Sequence, residues 1–128
     1  MKEQVVNIMK RGAITCTEDT TIREVTQIMV FNRIRYCVVL GSGNDVKGVI
    51  SSRSILKAFG KDLDKITAKD ILLPYTITIN PYHPLKDAIE LMKKKRIEHL
   101  IVVSDRSDKK TVYGVLSAAD LIKKMANA

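Results

Sequence analysis

The chain has 128 residues, of which 45% are apolar and 28% are charged. This composition is typical of a soluble globular protein, and the length fits one domain or two small repeats that share a core. No apolar run reaches the roughly 20 residues that span a bilayer. The N-terminus leads into no long apolar segment of the kind found in secretory signals. We therefore expect a cytoplasmic protein without a membrane partner.

The formal net charge of +8 favours anionic partners, a class that includes nucleotides, nucleic acids and acidic protein surfaces. A solvated, lysine-rich surface is the alternative interpretation. Nucleic acid is the weaker specific interpretation, because there is no basic tail or zinc-finger spacing and aromatics make up only 5% of the residues. Cys16 and Cys37 lie in strand-like runs and are expected to be buried thiols, although the sequence leaves a disulfide open.

In chain order, the first half begins with a short helix over residues 4–10 and a strand over 13–16. Thr21 and Glu24 have the spacing of a capping box, and Ile22, Val25 and Met29 give the following helix an apolar face. Two strands and a closing helix follow, over residues 36–40, 46–50 and 52–59. The residues between the two strands, 41–45, have turn composition and predict a hairpin.

The second half repeats this order. A short helix is predicted over residues 67–73 and a strand over 76–79. Pro84 suits the first position of a helix that ends in cations near residues 93–96. A second hairpin and a closing helix follow, with strands over residues 100–103 and 112–116, a loop over 104–111 and a helix over 118–125.

A shift of 63 residues places Ile14 on Ile77, Met29 on Met92 and Arg33 on Arg96, and after an insertion the shift becomes 66. The sequence therefore predicts an α/β (α+β) fold of two β-α-β-β-α repeats, over residues 1–62 and 63–128. A unit of about 60 residues has a thin core. We expect the two units to pack together with pseudo-two-fold symmetry, which would place equivalent positions of both in one cleft.

Two strand-to-helix corners share the pattern G-x-x-S-x-x-[D/S], over residues 48–54 and 114–120. Ser117 followed by Asp120 has the spacing of a helix cap, which is the purely structural interpretation. A carboxylate also offers two acceptor oxygens for the vicinal hydroxyls of a ribose, and a helix N-terminus attracts anions. Ser54 replaces the acid in the first corner, so we expect a weaker or empty site there.

The duplicated corners, the short helices at Ile8–Met9 and Ile71–Leu72, and the apolar strands resemble the CBS domain, and the whole chain is similar to one tandem CBS pair. This resemblance implies a regulatory module without catalytic activity, which binds an adenosine-containing effector such as AMP, ADP, ATP or S-adenosylmethionine in the cleft between the repeats. It further implies a homodimer, a possible regulated protein partner and no required cofactor.

The resemblance assigns the ribose to Asp120 and the phosphate to Ser117 and the start of the helix. The residues expected at this site are Asp120, Ser117, Ala118, Val115, Ile77, Thr78, Ile79, His99, Arg96 and Arg35. Those expected at the weaker site of the first repeat are Ile14, Thr15, Cys16, Ser51, Arg53 and Ser54.

Other functions are less well supported by the residues. A dimerisation scaffold with vestigial clefts is the first alternative, and a nucleic-acid binder is the second. His83 and His99 are the only histidines, and neither has metal-ligand spacing with cysteine. Because no Ser-His-Asp or Cys-His arrangement can be argued, we do not expect an enzyme.

Overall fold

The computed structural model describes residues 3–73, 77–104 and 111–128. Its helices and strands follow one another along the chain in the predicted order, with one additional short strand near the N-terminus. The helices are α1 (Val5–Ile8), α2 (Ile22–Asn32), α3 (Ser52–Leu56), α4 (Ala68–Ile71), α5 (Leu85–Lys95) and α6 (Ala118–Ala126). The strands are β1 (Lys10–Arg11), β2 (Thr15–Thr17), β3 (Tyr36–Leu40), β4 (Val46–Ser51), β5 (Thr78–Ile79), β6 (His99–Ser104) and β7 (Thr111–Ser117).

The chain folds as two compact units, Ile14–Thr76 and Met1–Ala13 together with Ile77–Ala128. We call the first of these the inner unit, because it is one continuous stretch in the middle of the sequence. We call the second the outer unit, because it combines the two stretches on either side of it; both names refer to the sequence alone. The predicted repeats, residues 1–62 and 63–128, divide the sequence rather than the contacts and stay a prediction; the compact units have different boundaries. The difference arises because α1 and β1 pack with elements of the second half, while α4 packs with elements of the first half.

The inner unit contains a three-stranded sheet in the order β2-β3-β4. Strands β2 and β3 are parallel, and the predicted hairpin of β3 and β4 is confirmed as an antiparallel pair. Helix α2 begins at the predicted cap, where the Thr21 hydroxyl accepts the Glu24 N–H at 3.2 Å. Cys16 and Cys37 are both buried and both free thiols in this core, as predicted.

The outer unit contains a four-stranded sheet in the order β1-β7-β6-β5. The hairpin of β6 and β7 is confirmed, although its predicted loop lies largely in residues 105–110, outside the described residues. The predicted strand over residues 76–79 begins at Thr76, which also lies outside them, and its described part is β5. Strand β1 was not predicted; it pairs antiparallel with β7 through Arg11 and Gly114.

The start of α5 also differs slightly from the prediction. Pro84 is the N-cap rather than the first helical residue, because its ψ of 136° is still extended. Backbone hydrogen bonds from the N-terminal segment hold this region: Val5 N–H donates to the His83 carbonyl at 2.9 Å, and Leu85 N–H donates to the Glu3 carbonyl at 2.8 Å. The N-terminal segment is therefore an integral part of the outer unit.

Candidate functional site

The corner between β7 and α6 in the outer unit is closed by a capping box. The Ser117 N–H and the Ser117 hydroxyl both donate to Asp120 Oδ2, at 3.0 and 2.9 Å. The Asp120 N–H is 3.3 Å from the Ser117 hydroxyl oxygen and donates to it. The structure therefore confirms that Ser117 and Asp120 cap α6, since both side chains accept hydrogen bonds from backbone N–H groups at the start of the helix.

Burial distinguishes this capping box from an ordinary surface cap. Asp120 is only 8% exposed and Ser117 is 7% exposed, whereas Asp and Glu are rarely so buried without a specific partner. All the hydrogen bonds of the box that involve the carboxylate use Oδ2. Asp120 Oδ1 takes part in none of them, so the cap leaves one acceptor oxygen of a buried carboxylate for another role.

His99 lies beside this carboxylate. The antiparallel register pairs His99 of β6 with Ser117 of β7. Burial lowers the pKa of His99 below its usual value of 6.5, and the negative charges of Glu98 and Asp120 oppose this shift without reversing it. The imidazole is therefore mainly neutral at pH 7, so it places no full positive charge beside the corner.

The lowered pKa of His99 predicts a pH-dependent stability. In the unfolded chain the imidazole binds a proton more readily than in the folded protein, so the free energy of unfolding should fall as the pH drops below about 6.5. The variant His99→Gln should lack this part of the pH dependence. Urea unfolding between pH 5 and pH 7.5 measures the effect. An equal dependence of the unfolding free energy on pH in the variant and the wild type would contradict a half-buried, neutral imidazole.

The corresponding corner of the inner unit also forms a capping box, but a different one. The Ser51 N–H donates to the Ser54 hydroxyl oxygen at 3.2 Å, and the two hydroxyl oxygens are 3.4 Å apart. Ser54 is completely buried. A side chain with no exposed surface cannot contact a ligand in this conformation, which supports the expectation that this corner binds ribose weakly or not at all.

The other residues expected at the main site are spread over several elements. In the outer unit, Val115 is fully buried in β7, Ala118 is half-buried at the first position of α6, and Arg96 is exposed at the end of α5. Arg35 belongs to the inner unit, where it follows α2. The structure therefore groups Ser117, Ala118, His99 and Asp120 around one corner and places Arg35 in a different unit.

The remaining predicted residues lie on the first strand of each unit. Ile77 and Thr78 are half-buried, and Ile79 is buried in the core of the outer unit. In the inner unit, Cys16 is buried in the core, while Thr15 is exposed. Ile14 packs against the same core, and Arg53 is exposed on α3.

A cavity of about 390 Å³ adjoins β5 in the outer unit. Thr78 and Ile79 line it, together with two titratable side chains that were not predicted, His83 and Asp87. The sequence feature that could have indicated them is their spacing of four residues across the start of α5, which can bring two side chains to the same side of a helix. Among the described residues, no group of three or more His, Cys, Asp or Glu side chains is placed to hold a metal ion.

Comparison with known proteins identifies the family. The CBS domain profile matches residues 5–61 and again residues 66–127. The chain therefore belongs to the CBS domain family and carries two copies of the domain, which confirms the predicted resemblance.

Two solved structures show the same fold over nearly the whole chain. The CBS domain pair of protein MJ0100, in complex with 5′-methylthioadenosine and S-adenosyl-L-methionine, superposes with a TM-score of 0.87 at 23% identity, covering 99% of this chain and 98% of that one. A CBS domain protein from Pyrobaculum aerophilum, complexed with AMP, has a TM-score of 0.82 at 30% identity, covering 98% of this chain and 100% of that one.

Among curated proteins, a homoserine O-acetyltransferase from Methanosalsum zhilinae is 28% identical over 126 residues. The match covers 96% of this chain but only 24% of that protein, so the two share a module rather than a complete enzyme. Within residues 3–73, 77–104 and 111–128, none of the helices has both the length and the apolar character needed to cross a bilayer.

Proposed function

We propose that this CBS domain pair is a regulatory module that binds an adenosine-containing ligand at the corner between β7 and α6. Asp120 accepts hydrogen bonds from the ribose hydroxyls, and Ser117 with the first turn of α6 lies near the phosphate. The observation that carries this proposal is the buried Asp120 carboxylate, whose Oδ1 is not used by the capping box. The AMP complex of the Pyrobaculum aerophilum relative supports the ligand class.

The chemistry of the corner fits such a ligand in two ways. A carboxylate oxygen accepts a charge-assisted hydrogen bond from a hydroxyl, and this bond is stronger than one between neutral groups. The nine residues of α6 direct their first N–H groups and the positive end of the helix dipole towards the same corner.

A thermal-shift series with AMP, ADP, ATP and S-adenosylmethionine tests the proposal. A ligand at about 100 times its dissociation constant stabilises the folded protein by about 2.7 kcal/mol. For a chain of this size, this corresponds to a rise in Tm of roughly 10 °C. At least one of the four ligands should give such a shift in a saturable manner, and the absence of any shift would count against an adenosine sensor.

The same family membership leads us to propose a homodimer, and exposed apolar side chains support it. Leu56 and Phe59 in the inner unit are 73% and 90% exposed, and Ile122 and Met125, at the equivalent positions of the second repeat, are 64% and 70% exposed. Repeated exposure at equivalent positions favours association through α3, the turn that follows it, and α6. Sedimentation equilibrium should therefore give twice the chain mass of 14.4 kDa.

The acetyltransferase activity in the name of the Methanosalsum zhilinae relative belongs to a protein about four times as long as the matched segment. We propose that the present chain corresponds to a regulatory part of such proteins. A ligand-dependent change in the CBS pair would then be sensed by a separate protein or domain, because a ligand shifts only those equilibria whose states it binds differently.

A further inference from the structure

The outer unit contains a cavity of about 680 Å³ between the N-terminal segment, the start of α5 and the end of α6. This volume is within the range of small-molecule sites. Pro84, Leu85 and Ile89 supply apolar surface. The other lining residues are Glu3, Gln4, Lys86, Glu90 and Lys124. None of them belongs to either strand-to-helix corner or to the residues expected at the adenosine site, so the cavity is a candidate for a separate ligand.

Glu3 brings a largely buried carboxylate to this cavity. Its Oε1 atom pairs with Lys124 Nζ, which holds the side chain between the N-terminal segment and α6. Its Oε2 atom is buried and has no hydrogen-bond partner within the part of the chain that the structure describes. A buried charged acceptor without a partner is costly, and such atoms usually meet a water, an ion or a ligand. Because the Lys124 side chain is long and 42% exposed, a small shift of this pair opens Oε2 to a donor in the cavity.

The equivalent position of the inner unit shows that the fold itself does not require a carboxylate here. The Leu85 N–H donates to the Glu3 carbonyl at 2.8 Å, and the Ile22 N–H donates to the Ile66 carbonyl at 2.9 Å. Ile66 is therefore the counterpart of Glu3, and its side chain packs against the core of the inner unit. Since an apolar residue fills this position without burying a charge, the Glu3 carboxylate is a specific feature of the outer unit.

Lys86 supplies an ammonium group to the same cavity. It is exposed in the first turn of α5, and its side chain has no hydrogen bond or ion pair among the described residues. Its counterpart in the inner unit, Arg23, is paired with Asp64. Glu90, one turn further along α5, pairs with Lys93 at 3.4 Å rather than with Lys86. The ammonium of Lys86 is therefore available to an anionic group of a ligand.

We propose that this cavity binds a small zwitterion with an apolar side chain, of the class of free α-amino acids. The ligand ammonium donates to Glu3 Oε2, and the ligand carboxylate accepts from Lys86 Nζ. The apolar side chain packs against Leu85 and Ile89. Charge-assisted hydrogen bonds and apolar burial supply the binding energy. Both charged groups of the ligand are required, because the cavity offers it one acceptor and one cation.

Titrations with L-leucine, L-methionine and L-phenylalanine at constant pH, followed in ¹H–¹⁵N correlation spectra, test this proposal. At least one amino acid should shift the amides of residues 3–4 and 86–90 in a saturable manner at millimolar concentrations. The best ligand is then compared with its decarboxylated amine and its deaminated acid, which for leucine are 3-methylbutylamine and 4-methylpentanoate. Each analogue should bind at least about tenfold more weakly. Absence of saturable shifts with all three amino acids, or an analogue that binds as tightly as its parent, would overturn the proposal.

Two variants with matched controls locate the site. Glu3→Gln and Lys86→Gln each remove one charge from the lining and should weaken the amino acid at least about tenfold. Asp19→Asn removes an acid that is paired with Lys69 at 3.3 Å outside the cavity, and Lys94→Gln removes an exposed cation of α5 outside the lining. These controls should change the affinity less than about twofold. Equal weakening in the variants and their controls would show a general charge effect and contradict the assignment.

Folding of the variants is verified by circular dichroism. Lys86→Gln keeps the test decisive even if Glu3→Gln unfolds, because the Lys86 side chain is exposed and its loss breaks no interaction among the described residues.

The variant Asp120→Asn separates this cavity from the proposed adenosine site. It should bind the amino acid with wild-type affinity, because Asp120 is not among the lining residues. If Asp120→Asn weakens the amino acid as much as Lys86→Gln does, the amino acid binds at the corner of α6 and the proposal of a separate site is wrong.

Discussion

Replacing Asp120 by Asn is expected to weaken the binding of an adenosine-containing ligand by at least about 30-fold. The substitution removes the negative charge that accepts hydrogen bonds from the ribose hydroxyls, and one charged hydrogen bond contributes about 1.5–3 kcal/mol. A loss of 2 kcal/mol is a factor of about 30 in the dissociation constant. Isothermal titration with whichever ligand gives the largest thermal shift measures the change directly.

A matched control separates ligand binding from helix capping. Asp70 closes a similar capping box at the start of α4, where it accepts the Thr67 N–H at 2.9 Å and the Thr67 hydroxyl at 3.1 Å, but it is exposed. Asp70→Asn and Asp120→Asn should each cost roughly 0.5–2 kcal/mol of stability without ligand. Only Asp120→Asn should weaken the ligand; unchanged affinity in that variant would restrict Asp120 to its capping role.

Replacing Gly114 by Ala is expected to destabilise the protein by about 2–3 kcal/mol. A Cβ at this position would collide with the carbonyl oxygen of Lys10 and lie 3.1 Å from Met9 Sδ. Because Arg11 of β1 pairs with Gly114 of β7, the backbone of the N-terminal segment cannot yield without breaking this pairing. Overpacking against backbone is among the more costly substitutions in a folded protein.

Gly43→Ala serves as the control for this prediction. A Cβ at Gly43 has Asp45 Oδ1 as its nearest neighbour, at an ordinary contact distance of 3.7 Å. The control should change the free energy of unfolding by less than about 0.5 kcal/mol. Urea unfolding of both variants measures the difference. A Gly114→Ala protein as stable as Gly43→Ala would show that β1 does not contribute to the fold of the outer unit.

The repeat and its hairpins could be predicted because their signals are local. Apolar runs separated by turn residues mark β3 with β4 and β6 with β7, and the order of elements recurs in both halves. Strand β1 could not be predicted, since Lys10 and Arg11 are both exposed and show no alternation of apolar and polar residues. The division into compact units depends on pairing between distant residues, such as Arg11 and Gly114, which a single sequence does not reveal.

The candidate site was predictable only in part, because some of its properties depend on contacts between residues that are distant in the sequence. The spacing of Ser117 and Asp120 indicates a capping box, but the burial that makes Asp120 unusual depends on the packing of the folded chain. His99 was placed near the corner by its position in a strand, whereas its lowered pKa follows from burial.

The most direct test of the proposed function compares the two corners during a titration with AMP. In ¹H–¹⁵N correlation spectra, the amides of residues 117–120 should shift in a saturable manner, since this corner has the buried carboxylate. The amides of residues 51–54 should shift less, because Ser54 is completely buried and carries no charge. Saturable shifts at residues 51–54 without shifts at residues 117–120 would contradict the assignment of the ligand to Asp120.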